Sequence, residues 1–129
     1  MLSRAKKPIM IICSCLESGQ YRPIVAVKGD TIIMSCKTSS PSGVEWTRNT
    51  TDGHYSIVYA NGTIRGHHNI LLQFSVVNPK AGDYSLKIYN VHPTDSGLYD
   101  CYDTDGMRLA GYYLVAEGTF PSRPLSKKK

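Results

Sequence analysis

The chain has 129 residues, which is enough for one two-layer domain and too few for two. Lys and Arg outnumber Asp and Glu by 15 to 10, but seven of these cations lie in the tails, at Arg4, Lys6, Lys7, Arg123, Lys127, Lys128 and Lys129. Because residues 20–120 hold eight basic and nine acidic residues, and no apolar run approaches about eighteen residues, neither a nucleic-acid-binding face nor a membrane span is predicted.

Residues 1–19 have the order of a secretory signal peptide, with basic residues before the apolar run from Pro8 to Leu16. On that interpretation Cys13 and Cys15 are the small residues that precede a cleavage point. A disordered leader or a short additional strand is the alternative, in which the two cysteines stay as thiols or form an interchain bridge. A zinc site is not expected from this pair, since zinc takes four ligands.

From residue 20 onward the pattern predicts strands separated by turns. The first three strands are expected at about 24–27, 31–37 and 44–48. In the third strand Val44 and Trp46 are expected to point inward, so Glu45 and Thr47 point outward.

The next segment is rich in turn signals. A turn is expected near Asp52-Gly53, then a short strand near 57–59, and then a hairpin turn at Asn61-Gly62. Later strands are expected at about 70–76, 84–91, 97–103 and 111–115. Residues 104–106 form the turn between the last two.

One set of residues carries a family resemblance. Cys36 and Cys101 enclose Trp46 in the sequence, and Tyr99 stands two residues before the second cysteine. Over about 21–117 the chain resembles the immunoglobulin superfamily, and its spacing is similar to the variable type, or V-set. The resemblance implies an all-β, two-sheet antiparallel Greek-key sandwich over residues 20–118, followed by a basic flexible tail over 119–129.

The resemblance also implies a role for each residue of this set. A Cys36–Cys101 disulfide would join the two sheets, with Trp46 packed against it, and the 65-residue loop it closes is worth about 4 kcal/mol. Tyr99 would return its hydroxyl to the main chain at the corner that Asp95 and Gly97 complete. Asp95 is expected to pair with a basic side chain, and Arg65 is the best candidate.

The last predicted strand distinguishes two branches of the superfamily. Residues 111–115 lack the Phe/Trp-Gly-x-Gly bulge of rearranged antigen receptors. The chain is therefore interpreted as a non-rearranging V-set domain.

In sandwiches of this type, partners bind the outward side chains of the G-F-C-C′ sheet and the adjoining loops. The candidate binding residues on this reading are Glu45, Thr47, Tyr59, Asp100, Tyr102, Met107, Arg108 and Tyr113. Tyrosines give a large contact area for little lost rotamer freedom, although tyrosines that merely line the sheet are the alternative. The expected partner is a protein, such as another immunoglobulin-like domain, and a homodimer is one such pairing.

Two sequons indicate an exported protein. Asn49-Thr50-Thr51 and Asn61-Gly62-Thr63 both have a permitted middle residue, so Asn49 and Asn61 are predicted glycosylation sites. A core disulfide also favours an oxidising compartment. The predicted location is therefore secreted or on the extracellular face of the cell surface.

The sequence contains no enzyme motif, and neither a catalytic residue nor a cofactor is predicted. His67 and His68 are adjacent, so on a strand they would point to opposite faces and could not share a metal. Asp103-Thr104-Asp105-Gly106 begins like a calcium loop but lacks the bidentate Glu, and a hairpin turn explains it.

These observations predict a protein-recognition domain of a receptor, adhesion or immune-type molecule. One alternative is a virus-encoded or soluble decoy version of such a domain. A carbohydrate-binding or structural module is the other.

Overall fold

The computed structural model describes residues 20–40 and 42–118. The predictions for residues 1–19 and 119–129, including those for Cys13 and Cys15, lie outside the described residues. The described residues form the strands β1 Arg22–Val27, β2 Ile32–Met34, β3 Val44–Thr50, β4 Tyr55–Ala60, β5 Thr63–Ile64, β6 Phe74–Asn78, β7 Asp83–Ile88, β8 Gly97–Asp103 and β9 Arg108–Glu117, the helix α1 His68–Gln73, and the 3-10 turns Pro79–Ala81 and Pro93–Asp95.

The strands form two sheets, as predicted. A six-stranded sheet has the order β1-β9-β8-β3-β4-β5, and a three-stranded sheet has the order β2-β7-β6. The pairings between these strands are antiparallel except that of β1 with β9, which is parallel. The predicted two-sheet sandwich is thus confirmed, with one parallel pair at its edge.

The core lies between the two sheets, around the predicted disulfide. Cys36 and Cys101 are bonded, and Cys101, Trp46 and Tyr99 are fully buried. The indole Nε1 of Trp46 donates a hydrogen bond to the carbonyl of Tyr84 at 2.7 Å, so the one polar atom of the ring is satisfied inside the core. The inward side chains of β3 and β8 therefore fix which side chains of this sheet point outward.

Two predicted strands differ most from the observed ones, and the strand expected over 84–91 also ends early, at Ile88. The strand expected over 70–76 is wrong in its first half, because residues 68–73 form α1 and β6 begins at Phe74. A short apolar run such as Ile70-Leu71-Leu72 suits a helix as well as a strand, and periodicity alone does not separate them. The strand expected over 31–37 ends at Met34, since the amide of Cys36 donates to the Ser85 hydroxyl instead of to a ladder carbonyl.

The predicted turns are confirmed. Asn61 and Gly62 both have positive φ, 51° and 81°, and join β4 to β5 as a two-residue hairpin that needs this backbone. The Asp103 carboxylate accepts hydrogen bonds from the amides of Asp105 and Met107, each at 2.9 Å, so it closes the β8–β9 turn.

Among residues 20–40 and 42–118, no group of three His, Cys, Asp or Glu residues is placed to hold a metal ion. In the same part of the chain, no helix has the length and apolar character needed to cross a membrane.

Candidate protein-binding face

The outer face is the side of the six-stranded sheet that points away from the core. Since Trp46, Tyr99 and Cys101 point inward, their neighbours along β3 and β8 point outward. The strand register arranges the outer face in three rows. These are a lower row of Tyr55, Asn49, Leu98, Tyr113 and Pro23, a middle row of Ile57, Thr47, Asp100 and Gly111, and an upper row of Glu45, Tyr102 and Arg108.

A buried carboxylate lies at the centre of the outer face. Asp100 is 8% exposed, and its Oδ2 accepts a hydrogen bond from the Tyr21 hydroxyl at 3.1 Å. Arg108 Nη1 lies 3.3 Å from Oδ1 as an ion pair, although within the described structure Oδ1 accepts no hydrogen bond. Burial raises the pKa of Asp100, and the Tyr21 hydrogen bond and the Arg108 charge oppose that rise.

Arg108 fastens the first described residues to the outer face. Its guanidinium lies 4.4 Å from the centre of the Tyr21 ring, and its Nη2 donates to the Gln20 carbonyl. The same guanidinium occupies the space beside Gly111, where a β-carbon would lie 2.9 Å from it. Arg108 is therefore held inside the face, and glycine at residue 111 leaves the room for it.

The eight predicted binding residues differ in how far the fold exposes them. Glu45, Tyr102 and Tyr113 point outward, and Met107 is exposed in the β8–β9 turn. Thr47 and Asp100 also point outward but are 3% and 8% exposed, so neighbouring side chains cover them. The structure therefore leaves fewer of these residues accessible to a partner than the sequence suggested.

The prediction for Tyr59 is wrong. A bulge between Trp46 and Thr47 shifts the pairing of β3 with β4. Tyr59 then pairs with Trp46 and packs in the core against Tyr84, 6.5 Å away between ring centres, and only 4% of it is exposed. Ile57 takes the outward position instead.

Four exposed apolar side chains of this region were not predicted, namely Val25, Tyr55, Ile57 and Leu109. They belong to the outer face or to the turn at its upper end, and the sequence signal for them was simple alternation about the inward residues. The exposed apolar residues of the outer face and this turn are Val25, Tyr55, Ile57, Met107, Leu109 and Tyr113.

The corner before β8 holds a second buried carboxylate, that of Asp95, on the core side of the six-stranded sheet. Tyr99 donates its hydroxyl hydrogen to the Asp95 carbonyl, as predicted. The predicted partner Arg65 is wrong, because Arg48 Nη1 donates to Asp95 Oδ1 at 3.0 Å while Arg65 is exposed. Gln73, at the end of α1, donates to the other oxygen at 2.7 Å. Burial raises the pKa of Tyr99 to about 12.

The two sequon asparagines lie in different surroundings. Asn49 is exposed on the lower row of the outer face, between Tyr55 on β4 and Leu98 on β8. Asn61 is exposed at the tip of the β4–β5 hairpin, outside the outer face.

A cleft opens beside the upper end of the outer face. It has a volume of about 380 Å³ and is lined by Glu45, Tyr102, Asp103 and Asn61, among others. The cleft gives this end of the face a concave, polar rim.

The immunoglobulin V-set domain family matches residues 20–114 of this chain. The chain belongs to the immunoglobulin V-set family. V-set domains are in general non-enzymatic recognition modules, and they are typically extracellular.

Three solved structures show the same fold. The first immunoglobulin domain of the mouse polymeric immunoglobulin receptor is 18% identical with a TM-score of 0.61, and the match covers 80% of this chain and 95% of that one. The extracellular domain of the voltage-gated sodium channel β4 subunit, described as a parallel homodimer, is 16% identical with a TM-score of 0.58 over 89% and 100% of the two chains. A chain of the ZIG-8–RIG-5 IG1-IG1 heterodimer is 18% identical with a TM-score of 0.56 over 81% and 89%.

Proposed function

We propose that this V-set domain is an exported protein-recognition domain that binds another immunoglobulin-like domain through its outer face. The observation that carries the proposal is the concentration of exposed apolar side chains there. On the β9 side of the face, Tyr113 is 43% exposed, and Val25 on the paired strand β1 is exposed near it. Contiguous exposed apolar surface with a polar rim is typical of protein interfaces.

The rigidity of the face supports the same proposal. Behind it, the Arg48–Asp95 pair ties β3 to the turn before β8, and the disulfide ties β8 to Cys36 beyond the end of β2. On its surface, Asp100 and Arg108 hold Tyr21 in place. A face ordered before binding loses little conformational entropy when a partner docks.

The kind of partner is proposed from the shape of the face and from the similar structures. The outer face belongs to a six-stranded sheet, which is broad and twisted, so it fits another sheet better than it fits a loop or a single helix. Two of the similar structures are described as pairs of domains, one a homodimer of extracellular domains and the other an IG1-IG1 heterodimer.

The test is a binding screen followed by charge substitution on the face. The chain is produced in a secreting mammalian cell line and presented as a tetramer to a panel of extracellular immunoglobulin-like proteins that includes the chain itself. The affinity for each protein that binds is then measured by surface plasmon resonance. Tyr113→Arg is expected to weaken the affinity roughly tenfold or more, since a buried aromatic contact is replaced by an unpaired charge.

Leu72→Arg is the matched control, because Leu72 is an exposed apolar residue on α1 and lies outside the outer face. It is expected to leave the affinity unchanged. Equal losses in the two variants, or an unaffected Tyr113→Arg variant, would overturn the assignment of the interface to the outer face.

A further inference from the structure

We propose that an N-linked glycan on Asn49 covers the β3–β4 side of the outer face and confines protein binding to the β9 side. This inference rests on the exported location that is part of the proposed function. It assigns one occupant, a sugar carried by the chain itself, to exposed apolar surface that otherwise faces water.

Asn49 stands where such a glycan would lie across the sheet. It is exposed in the lower row of the outer face, and its cross-strand neighbours are Tyr55 on β4 and Leu98 on β8. Adjacent strands are about 4.8 Å apart, so Tyr55 lies one strand from the attachment point while Tyr113 lies two strands away on the opposite side, at about 10 Å.

The attachment chemistry is set by the sequon. Asn49 is followed at the second residue by Thr51, the acceptor pattern for N-glycosylation. The donor is an oligosaccharide linked to a lipid diphosphate. The Asn49 side-chain nitrogen forms a bond to the anomeric carbon, the bond from that carbon to the diphosphate oxygen breaks, the nitrogen gives up one proton, and the lipid diphosphate leaves.

The neighbouring side chains suit a sugar. A pyranose ring has one face made of C–H groups, which packs on an aromatic ring while the hydroxyl groups at its edge stay hydrated. Tyr55 is 64% exposed and Ile57 is exposed beside it on β4. Covering these two side chains with sugar removes apolar surface from water and leaves a polar exterior.

The second sequon shows why position matters. Asn61 occupies a hairpin tip, and around its neighbour Gly62 the space is open to at least 4 Å. A glycan there starts at the cleft beyond the upper row, which Asn61 lines together with Glu45 and Tyr102. The two predicted glycans thus start at different places, and only the one on Asn49 starts among the side chains of the face, between β4 and β8.

The experiment uses the full chain secreted from mammalian cells, in three forms. Thr51→Ala removes the Asn49 sequon, whereas Thr51→Ser keeps it, and both variants retain Asn49. Glycopeptide mapping measures occupancy of each site. Nitration with tetranitromethane, followed by peptide mass spectrometry, then measures the accessibility of individual tyrosines.

We expect sugar on Asn49 in the wild type and in Thr51→Ser, and none in Thr51→Ala. Nitration of Tyr55 should be several-fold slower in the two glycosylated forms, while nitration of Tyr113 should be the same in all three. The Tyr113 rate also reports that the variants are folded alike.

Two results would overturn this inference alone, namely an unmodified Asn49 in a chain whose Asn61 carries sugar, or an occupied Asn49 with equal Tyr55 nitration in all forms. A chain retained in the cell with neither site occupied would overturn the exported location, and the proposed function would fail with it. Loss of partner binding in Tyr113→Arg is measured separately and does not depend on the sugar.

Discussion

Replacing Arg48 with Met should destabilise the fold by about 3–5 kcal/mol, the cost of breaking a buried ion pair from one side. Asp95 is 4% exposed, and Arg48 supplies its only cationic partner among the described residues, at 3.0 Å on Oδ1. After the change, Oδ2 still accepts from the Gln73 side chain and the His92 amide, but Oδ1 has lost its donor. Met keeps most of the apolar stem, so the loss reports on the charge rather than on packing.

A smaller contribution comes from the aromatic ring below the guanidinium. The Arg48 Cζ lies 5.3 Å from the centre of the Phe74 ring, a contact worth about 0.5–1 kcal/mol or more when desolvated. Asp95→Asn removes the other charge. The double variant should lose less free energy of unfolding than the sum of the losses in the two single variants, and the difference, the coupling energy, should be about 0.5–3 kcal/mol.

The assay is urea unfolding followed by the fluorescence of Trp46, which is the only tryptophan in the chain. Arg65→Met is the matched control, because Arg65 is exposed and a surface substitution of this kind changes stability by less than about 0.5 kcal/mol. If Arg48→Met and Arg65→Met unfold at the same urea concentration, the buried pair does not have the energetic role that its geometry indicates.

Three further predictions concern the corner and the core. Gly97→Ala should cost several kcal/mol and more than Gly53→Ala, because Gly97 has φ +149° and a β-carbon added there would clash with the Asn49 carbonyl oxygen, whereas Gly53 has positive φ in open space. Thermal unfolding of the two variants compares them, and equal shifts would contradict the steric argument. The folded state raises the pKa of Tyr99 from 10.0 to about 12, so it holds the phenolic proton more tightly than the unfolded chain does. This stabilisation is complete below pH 10 and declines by roughly 2–3 kcal/mol as the pH rises to 12. Urea unfolding at pH 9 and pH 11.5 should therefore show a larger loss of stability in the wild type than in Tyr99→Phe. Replacing both Cys36 and Cys101 by Ala should lower the free energy of unfolding by about 4 kcal/mol through the loss of the cross-link, and a much smaller loss would show that the unfolded chain is already compact.

The centre of the fold was predictable because each of its residues has a physical role that sequence spacing reveals. A disulfide joins residues at the middle of facing sheets, and a Trp placed between them in the sequence has one region to fill. The structure confirms Cys36–Cys101, the buried Trp46 and the Tyr99 corner. Trp46, Tyr99 and Cys101 belong to strands whose alternation is regular, so the inward direction of one determines that of its neighbours.

The same alternation along β3 also predicts Arg48, instead of Arg65, as the partner of Asp95. Val44 and Trp46 point inward along β3, so Arg48 two residues later points to the core side as well. A buried arginine requires an anion, and Asp95 was already expected at the corner. The partner of Asp95 was therefore contained in the pattern, whereas the choice of Arg65 rested on spacing along the chain alone.

The composition of the outer face could not be derived in this way, because it depends on a break in the alternation. The bulge between Trp46 and Thr47 adds a residue to β4 relative to β3, and one residue of slip reverses the direction of each side chain beyond it. Tyr59 and Ile57, which regular alternation would put on one face, thereby lie on opposite faces, with Tyr59 in the core and Ile57 in solvent. The bulge accompanies the packing of Tyr59 against Tyr84 across the sandwich, a contact between residues 25 apart in the sequence that no local pattern encodes. Side chains on regular strands can thus be assigned from sequence, but the binding surface of a sheet with a bulge has to be read from its three-dimensional register.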